Sequence, residues 1–272
     1  MVRNLAMLIG AAFVAVLGWA LVGSVSGLFS DPVGKTAVEE FHLHPKEVAF
    51  ASDGPFGKYD VGQLQRGLQV YKEVCANCHS LSHVAFRDLK DLDYNDGQVK
   101  KFAADWGTKQ ATLDPKTGTA GERANLPSDY FPKVYYPGQG NPPDLSLITK
   151  ARHDGTAYVY SLLTGYAEQP AALLKQFPDA KSPDGTYYNP YFANLNIAMP
   201  PPLSSDGQIT YLDGTKSTVQ QNAKDIAAFL TWAAEPKLEA RHNAGFASVI
   251  FLLIFCFLAW GAYQNVWRDK KH

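Results

Sequence analysis

The sequence predicts a mostly α-helical domain with long loop insertions, followed by a C-terminal transmembrane helix and preceded by a possible second one. Three observations carry this. Apolar residues recur at helical spacing in several separate segments, most clearly from Asp60 to Cys78. Two runs, residues 5–22 and 244–266, contain no charged residue. Between them lies a polar middle rich in Gly and Pro turn signals, in which strand-like alternation is absent. With 272 residues the chain is long enough for one sizeable domain or two small ones. The expected division is 1–27 as a signal peptide or N-terminal anchor, 28–243 as an exported domain, 244–267 as the spanning helix and 268–272 as a basic tail.

Residues 5–22 stand at the lower edge of the length that crosses a bilayer, about 20 residues. They are longer than the apolar core of a secretory signal, about 7–15 residues, although Gly23, Ser24, Ser26 and Gly27 offer a cleavage site. A cleaved signal and a retained anchor both remain open, and either exports the polypeptide after Gly27. Residues 30–58 read as an extended lead-in broken by Pro32, Pro45 and Pro55. His42 and His44 within it read as solvated. Asp60 is placed to cap a helix. Val61, Leu64, Leu68, Tyr71, Cys75 and Cys78 then recur at spacings of three and four, one apolar face that delivers both cysteines to the buried side.

Residues 81–101 read as polar and loop-like with some helical capacity. Their acids approach a calcium loop, but Gly97 falls one place late and Phe102 stands where the last acid belongs, so a solvated face is expected. Residues 108–140 lack periodicity and read as a long loop insertion. The aromatics Tyr130, Phe131, Tyr135 and Tyr136 in it could cover a cofactor edge or form a satellite core. Asp144 is placed to cap a helix to about Ala151, and residues 156–164 form another that stops at Gly165. Residues 170–191 read as loop. Ser217 or Thr218 starts the last helix of the domain, with Val219, Ala223, Ile226, Leu230 and Ala233 as its stripe and Pro236 as its end.

Residues 237–243 form a charged junction, and residues 244–266 are long enough to span a bilayer. Trp260, Tyr263 and Trp267 lie towards the far end, as an interfacial belt would. Arg268, Lys270 and Lys271 come next, so the positive-inside rule places His272 in the cytoplasm or matrix and the domain on the opposite side. The span carries no Asp, Glu, Lys, Arg or His, and Cys256 within it reads as inert packing.

The chemistry is concentrated in Cys75-Ala76-Asn77-Cys78-His79, the C-x-x-C-H pattern of covalent c-type haem attachment. Two thiols on one short turn can add to the two vinyl groups on one edge of a porphyrin, and the turn places His79 under the iron. The chain has three cysteines and the third, Cys256, lies deep in an apolar run, which excludes a four-thiolate zinc site. A thioredoxin-like pair should come after a buried strand, whereas this one comes after a helical pattern. One haem c, held by Cys75 and Cys78 with His79 as proximal ligand, is therefore expected. For the sixth position Met199 is the only methionine between the apolar runs and stands in Ala198-Met199-Pro200-Pro201-Pro202, where prolines stiffen the backbone. His83 and His153 compete with it. A His/Met pair raises the reduction potential and leaves no open iron position, which favours electron carriage over catalysis at iron.

Residues 28–243 carry 21 basic and 25 acidic side chains, a net charge of −4. This excludes a nucleic-acid footprint and suits, weakly, a cationic partner. Covalent haem implies the outside of a bacterial cytoplasmic membrane or the intermembrane space.

Several motifs resemble the cytochrome c1 family, the haem subunits of the cytochrome bc1 complex. They are Gly54-Pro55-Phe56-Gly57, Leu64-Gln65-Arg66-Gly67, Cys75–His79, Pro142-Pro143-Asp144-Leu145-Ser146, Ala151-Arg152-His153, Ser161-Leu162-Leu163-Thr164-Gly165-Tyr166, Ala198-Met199-Pro200-Pro201 and Trp232-Ala233-Ala234-Glu235-Pro236. The resemblance runs from about Asp53 to the C-terminal anchor. It implies a class I cytochrome c-like haem domain, axial ligation by His79 and Met199, and residence in the inner membrane with the haem domain on the periplasmic side. It also implies electrons arriving from a Rieske iron–sulfur subunit, a cytochrome b that oxidises quinol, and a cytochrome c as acceptor. The segment before Pro142 lacks the Arg- and Asn-rich stretch of mitochondrial members, so no propionate-binding Arg is assigned. A retained N-terminal run would also depart from the usual single anchor. The competing expectations are a membrane-anchored monohaem cytochrome c of another respiratory enzyme, a haem protein with an open iron position, and an anchored zinc or interaction domain.

Overall fold

The structure is a computed structural model that describes residues 2–30, 34–138 and 140–270. Pro32, Lys271 and His272, which the sequence assigned to the lead-in and the basic tail, lie outside the described residues. The chain separates into two units, Met1–His42 and Leu43–His272. In the first, α1 (Val2–Ser30) is one continuous helix of 29 residues. The short α2 (Ala37–Phe41) interrupts the expected extended lead-in, because Thr36 and Glu39 form a capping box: Glu39 N–H donates to Thr36 Oγ1 at 3.2 Å and Thr36 N–H to the Glu39 carboxylate at 2.7 Å.

The second unit is built on α3 (Val61–Glu73), which forms where the sequence placed it. The Asp60 carboxylate caps it by accepting from Gln63 N–H at 3.1 Å, and Leu64, Leu68 and Tyr71 of the expected stripe are buried. The helix ends two residues before Cys75, and a 3-10 turn over Cys75–Asn77 carries the motif. A second 3-10 segment, Phe86–Leu92, and α4 (Asp96–Ala104) come after it. The helical capacity expected within 81–101 is realised in these two segments, while its expected polar, loop-like character is corrected: Leu81, Phe86, Leu89, Leu92 and Val99 are core residues. The expected loop insertion contains an antiparallel hairpin, β1 (Gln110–Leu113) against β2 (Ala120–Arg123), with Gln110 opposite Arg123. Its aromatics divide. Phe131 joins the main core, stacked on Phe86 with ring centroids 4.4 Å apart, while Tyr130 and Tyr135 are exposed.

Residues 145–151 form consecutive turns and no regular helix, although the Asp144 carboxylate accepts from Ser146 N–H at 2.8 Å as a cap would; its other oxygen accepts from Ser82 N–H at 3.0 Å. Next come α5 (Gly155–Leu163), α6 (Ala171–Gln176), a two-residue ladder of β3 (Tyr187–Tyr188) with β4 (Asn196–Ile197), and α7 (Val219–Ala234). α6 and β3 lie within residues 170–191, where loop was expected. Thr218 caps α7 by accepting from Gln221 N–H at 3.1 Å. The last helix, α8 (Leu238–Trp267), begins six residues before the uncharged run, so the charged junction is itself helical. α1 and α8 are both long and apolar enough to cross a membrane.

The seam between α3 and α7 positions the motif. Gly67 lies where the helices approach most closely: a Cβ there would stand 2.2 Å from Asp225 O and 2.5 Å from Phe229 Cβ. Beside it Asp225, fully buried, accepts from Arg66 Nε at 2.9 Å, Gln63 Nε2 at 3.1 Å and Gln221 Nε2 at 2.8 Å. Pairing and hydrogen bonding of this kind are what permit a carboxylate in a core. The fold is mostly helical, with loop insertions and two long apolar helices near the ends.

Candidate haem site

Tyr71 ties the seam to the motif. Its ring packs on Phe229 across the helices, 5.9 Å between centroids, and its hydroxyl donates to His79 O at 3.1 Å. The motif closes as a turn in which Cys78 N–H and His79 N–H both donate to Cys75 O, at 3.1 and 2.9 Å. Both thiols are free and partly exposed on this one turn. Burial around its sulfur pushes the Cys75 thiol up to about 12, with Cys78 adding to the effect.

His79 is oriented by a backbone carbonyl. Its Nδ1 lies 2.8 Å from Pro143 O, so Nδ1 carries the proton and donates, and the Nε2 lone pair is left for a metal. Burial lowers the imidazole pKa, against smaller opposing effects of the Pro143 bond and Asp144, which favours the neutral ring that ligation requires. The next residues are stitched to the segment that supplies Pro143. Leu145 N–H donates to Ser80 O at 2.9 Å, Val134 N–H to Ser80 Oγ at 2.8 Å, and Ser82 N–H and Oγ to Asp144 Oδ2 at 3.0 and 2.6 Å.

Met199 lies beyond β4 in an irregular loop. Ahead of it Leu195 is buried with φ 66°, a left-handed conformation that a branched side chain adopts only when its surroundings hold it there. Asn189, fully buried, provides that hold: its Nδ2 donates to Leu162 O at 2.8 Å, and its backbone N–H to Leu195 O at 2.8 Å. Tyr166, just beyond α5, donates its hydroxyl to Met199 O at 3.1 Å. The segment 140–143 meets both sides of the site. Pro143 O holds His79, and a Cβ at Gly140 would lie 3.8 Å from the Ala198 methyl.

The residues present fit a c-type haem: two free thiols on one turn, and a half-buried imidazole with its tautomer set and one nitrogen available. Of the competitors for the sixth position, His83 and His153 are exposed, whereas Met199 is half-buried. Cys256 is a free, exposed cysteine on α8. Sequence reasoning missed Pro143 O, the Tyr71 and Tyr166 hydroxyls, and Asp144 as the tie to Ser82. Tyr71 was legible as a stripe residue with a polar tip; a carbonyl partner such as Pro143 O carries no side-chain signal.

A family model described as the Cytochrome C1 family matches residues 50–270. The chain is 39% identical to cytochrome c1 of Rhodospirillum rubrum, over 80% of this chain and 86% of the relative. It is 40% identical to an Arabidopsis thaliana protein named cytochrome c1 1, heme protein, mitochondrial, over 93% of this chain and 82% of the relative. It is also 41% identical to a protein of Bradyrhizobium diazoefficiens named cytochrome b/c1, over 96% of this chain, and spans 41% of that longer relative.

Proposed function

The chain belongs to the cytochrome c1 family, and from that premise we propose that it is the haem subunit of a quinol–cytochrome c oxidoreductase of the bc1 type. In this reading it takes single electrons from a Rieske iron–sulfur protein and gives them to a cytochrome c. The observation that carries the proposal is the His79 Nδ1 bond to Pro143 O, which presents Nε2 to a metal at the end of a C-x-x-C turn. Cys75 and Cys78 would hold one haem c by thioether bonds, and His79 and Met199 would hold its two axial positions. The haem, when bound, supplies a one-electron couple, and a His/Met ligand set raises its potential. The protein's part is to keep both axial positions filled, so that no substrate reaches the iron. A relative whose name joins b to c1 supports a cytochrome b as the neighbouring subunit and site of quinol chemistry.

The proposed division is 28–243 as the exported haem domain, 244–267 as the spanning segment and 268–272 as a tail on the opposite side, with residues 1–27 a signal or second anchor. Arg268 and Lys270 beyond the apolar run support a periplasmic haem domain. Two experiments test the reading. Mild detergent extraction should bring down a cytochrome b and a Rieske protein with this chain, and their absence would reopen another anchored carrier. Met199→Leu should keep covalent haem but lower the potential by a sizeable part of the ~0.8 V that axial ligands span. An unchanged potential would reassign the sixth ligand.

A further inference from the structure

A second built feature lies away from the haem site, where residues 54–57 meet the first turns of α8. This loop is tight. Gly54 has φ 77°, Gly57 N–H donates to Gly54 O at 3.2 Å, and a Cβ on Gly57 would fall 2.2 Å from Ser52 O. Two bonds fasten it to α8: Tyr59 N–H donates to Glu239 Oε1 at 2.9 Å, and His242 Nδ1 lies 3.3 Å from Gly57 O. What this rigid loop presents is a phenyl ring in the open. Phe56 is 76% exposed, and its ring meets the edge of Phe246, itself 57% exposed, with centroids 6.0 Å apart.

The depth of that pair is set by the helix. α8 has 30 residues, so it is about 45 Å long, matching the roughly 40–45 Å of a bilayer with its headgroups. Phe246 lies eight residues from the start, about 12 Å along the axis, which is just inside the boundary of a hydrocarbon core about 30 Å thick. A ring held against Phe246 shares its depth. The recess between loop and helix, about 230 Å³, has Lys58, Glu239, His242 and Asn243 as its polar lining, with Glu239 already bonded to Tyr59 N–H, and Pro55, Phe56 and Phe246 as its apolar lining. That pairing matches a headgroup–acyl boundary. The far interface of α8 has its own aromatic residues, Trp260, Tyr263 and Trp267, whereas the near end of the helix has Phe246 alone among aromatics before Phe251.

We propose that residues 54–57 form a membrane-contact loop, with Phe56 seated at the headgroup–acyl boundary of the phospholipid bilayer beside the spanning helix and completing the near-side aromatic belt from outside that helix. The partner is the bilayer itself. The loop would set how far the domain stands off the membrane.

The test places a photoreactive benzoyl-phenylalanine at position 56 of the full chain and irradiates it in the native membranes of the producing cells. The same analogue at Phe251, within the span, is the positive control. Mass spectrometry of the purified chain should show a phospholipid adduct at 56, as at 251. An adduct with another protein at 56 would overturn the proposal in favour of a subunit contact. No adduct at 56 with an adduct at 251 would overturn it in favour of water. Should the position 56 variant fail to accumulate, the analogue at Pro55, the neighbouring exposed residue, reads the same surface by the same criteria.

Discussion

The two sides of the haem site are built by different means. The His79 side rests on regular structure: α3 is pressed onto α7 at Gly67, Tyr71 bridges the seam to His79 O, and a run of hydrogen bonds, most of them through side chains, joins residues 79–83 to 134–146. The Met199 side rests on an irregular loop held at a few points, chiefly Asn189, a strained Leu195 and the Tyr166 hydroxyl. The contrast fits the two tasks. In the proposed function the proximal side would hold a covalently tethered group in one place, and cooperative helix packing suits that. In the same proposal the distal side would supply one weak ligand atom at a set distance, and a loop with few ties allows that distance to be adjusted without disturbing the core.

If the seam is the foundation, breaking it should cost most. Arg66→Ala removes the cationic partner of a fully buried Asp225, and leaving such a charge uncompensated costs about 3–5 kcal/mol. At roughly 2–4 °C per kcal/mol for a chain of this class, thermal unfolding of the full chain in detergent should show a loss of about 6–20 °C. A loss below ~1 kcal/mol would mean that Gln63 and Gln221 carry Asp225 without it. Gly67→Ala should come second. Its methyl has no room between Asp225 O and Phe229 Cβ, and overpacking costs about 1–3 kcal/mol, read as a lower denaturant midpoint at unchanged slope.

Legibility in the sequence divides along the same line. The helix after Asp60 was legible because cap, period and stripe agree, and the turn over Cys75–His79 stood out by the spacing of its thiols and imidazole. Residues 86–92 were not, for a specific reason: Phe86, Leu89 and Leu92 repeat every third residue, the period of a 3-10 helix, and charged residues fill the places between. The hairpin at 110–123 was hidden because its strands are almost wholly exposed, so alternation has nothing to mark. Asp144 read as a helix cap because its carboxylate does accept from Ser146 N–H at 2.8 Å, but the partner on its other oxygen, Ser82, is 62 residues away and invisible to local pattern. Met199 stood out by composition; Tyr166, 33 residues before it, is defined by an interaction with a carbonyl.

The distal side can be probed through that tyrosine. Tyr166→Phe removes one hydroxyl and leaves the ring, so global stability should fall by only about 0.5–1.5 kcal/mol, the worth of a single neutral hydrogen bond. The sharper readout is at the ligand. A freer Met199 should lower the potential and let the reduced protein bind carbon monoxide faster than the parent does. The same change in a Met199→Leu background should shift neither quantity further, which separates positioning of the thioether from general loosening. Equal effects in both backgrounds would show that Tyr166 supports the fold and not the ligand.

The smallest effect expected is also the one that distinguishes the two sides by their chemistry. The proximal side has a titratable tie in Asp144: burial raises its pKa, but hydrogen bonds from Ser146 and Ser82 outweigh this and hold the carboxyl below the usual carboxylate range. A carboxylate lowered in the folded state stabilises at all pH values above its unfolded pKa, about 3.9. That contribution is lost as pH falls through the lower folded value. The Tyr166 tie has no counterpart in acid, since burial raises its hydroxyl pKa above the ordinary tyrosine value. Acidification below about pH 4 should therefore loosen the segment around Ser82 while leaving the Tyr166 bond to Met199 intact. Asp144→Asn should flatten the acid limb of stability by under ~1 kcal/mol, since Asp144 is partly solvated and screened. The comparison is one of unfolding free energies for the two proteins at about pH 7 and near pH 3.5, on either side of the ordinary carboxylate value. A difference that stays constant between the two conditions would show that the charge on Asp144 contributes nothing and that its hydrogen bonds act as neutral ones.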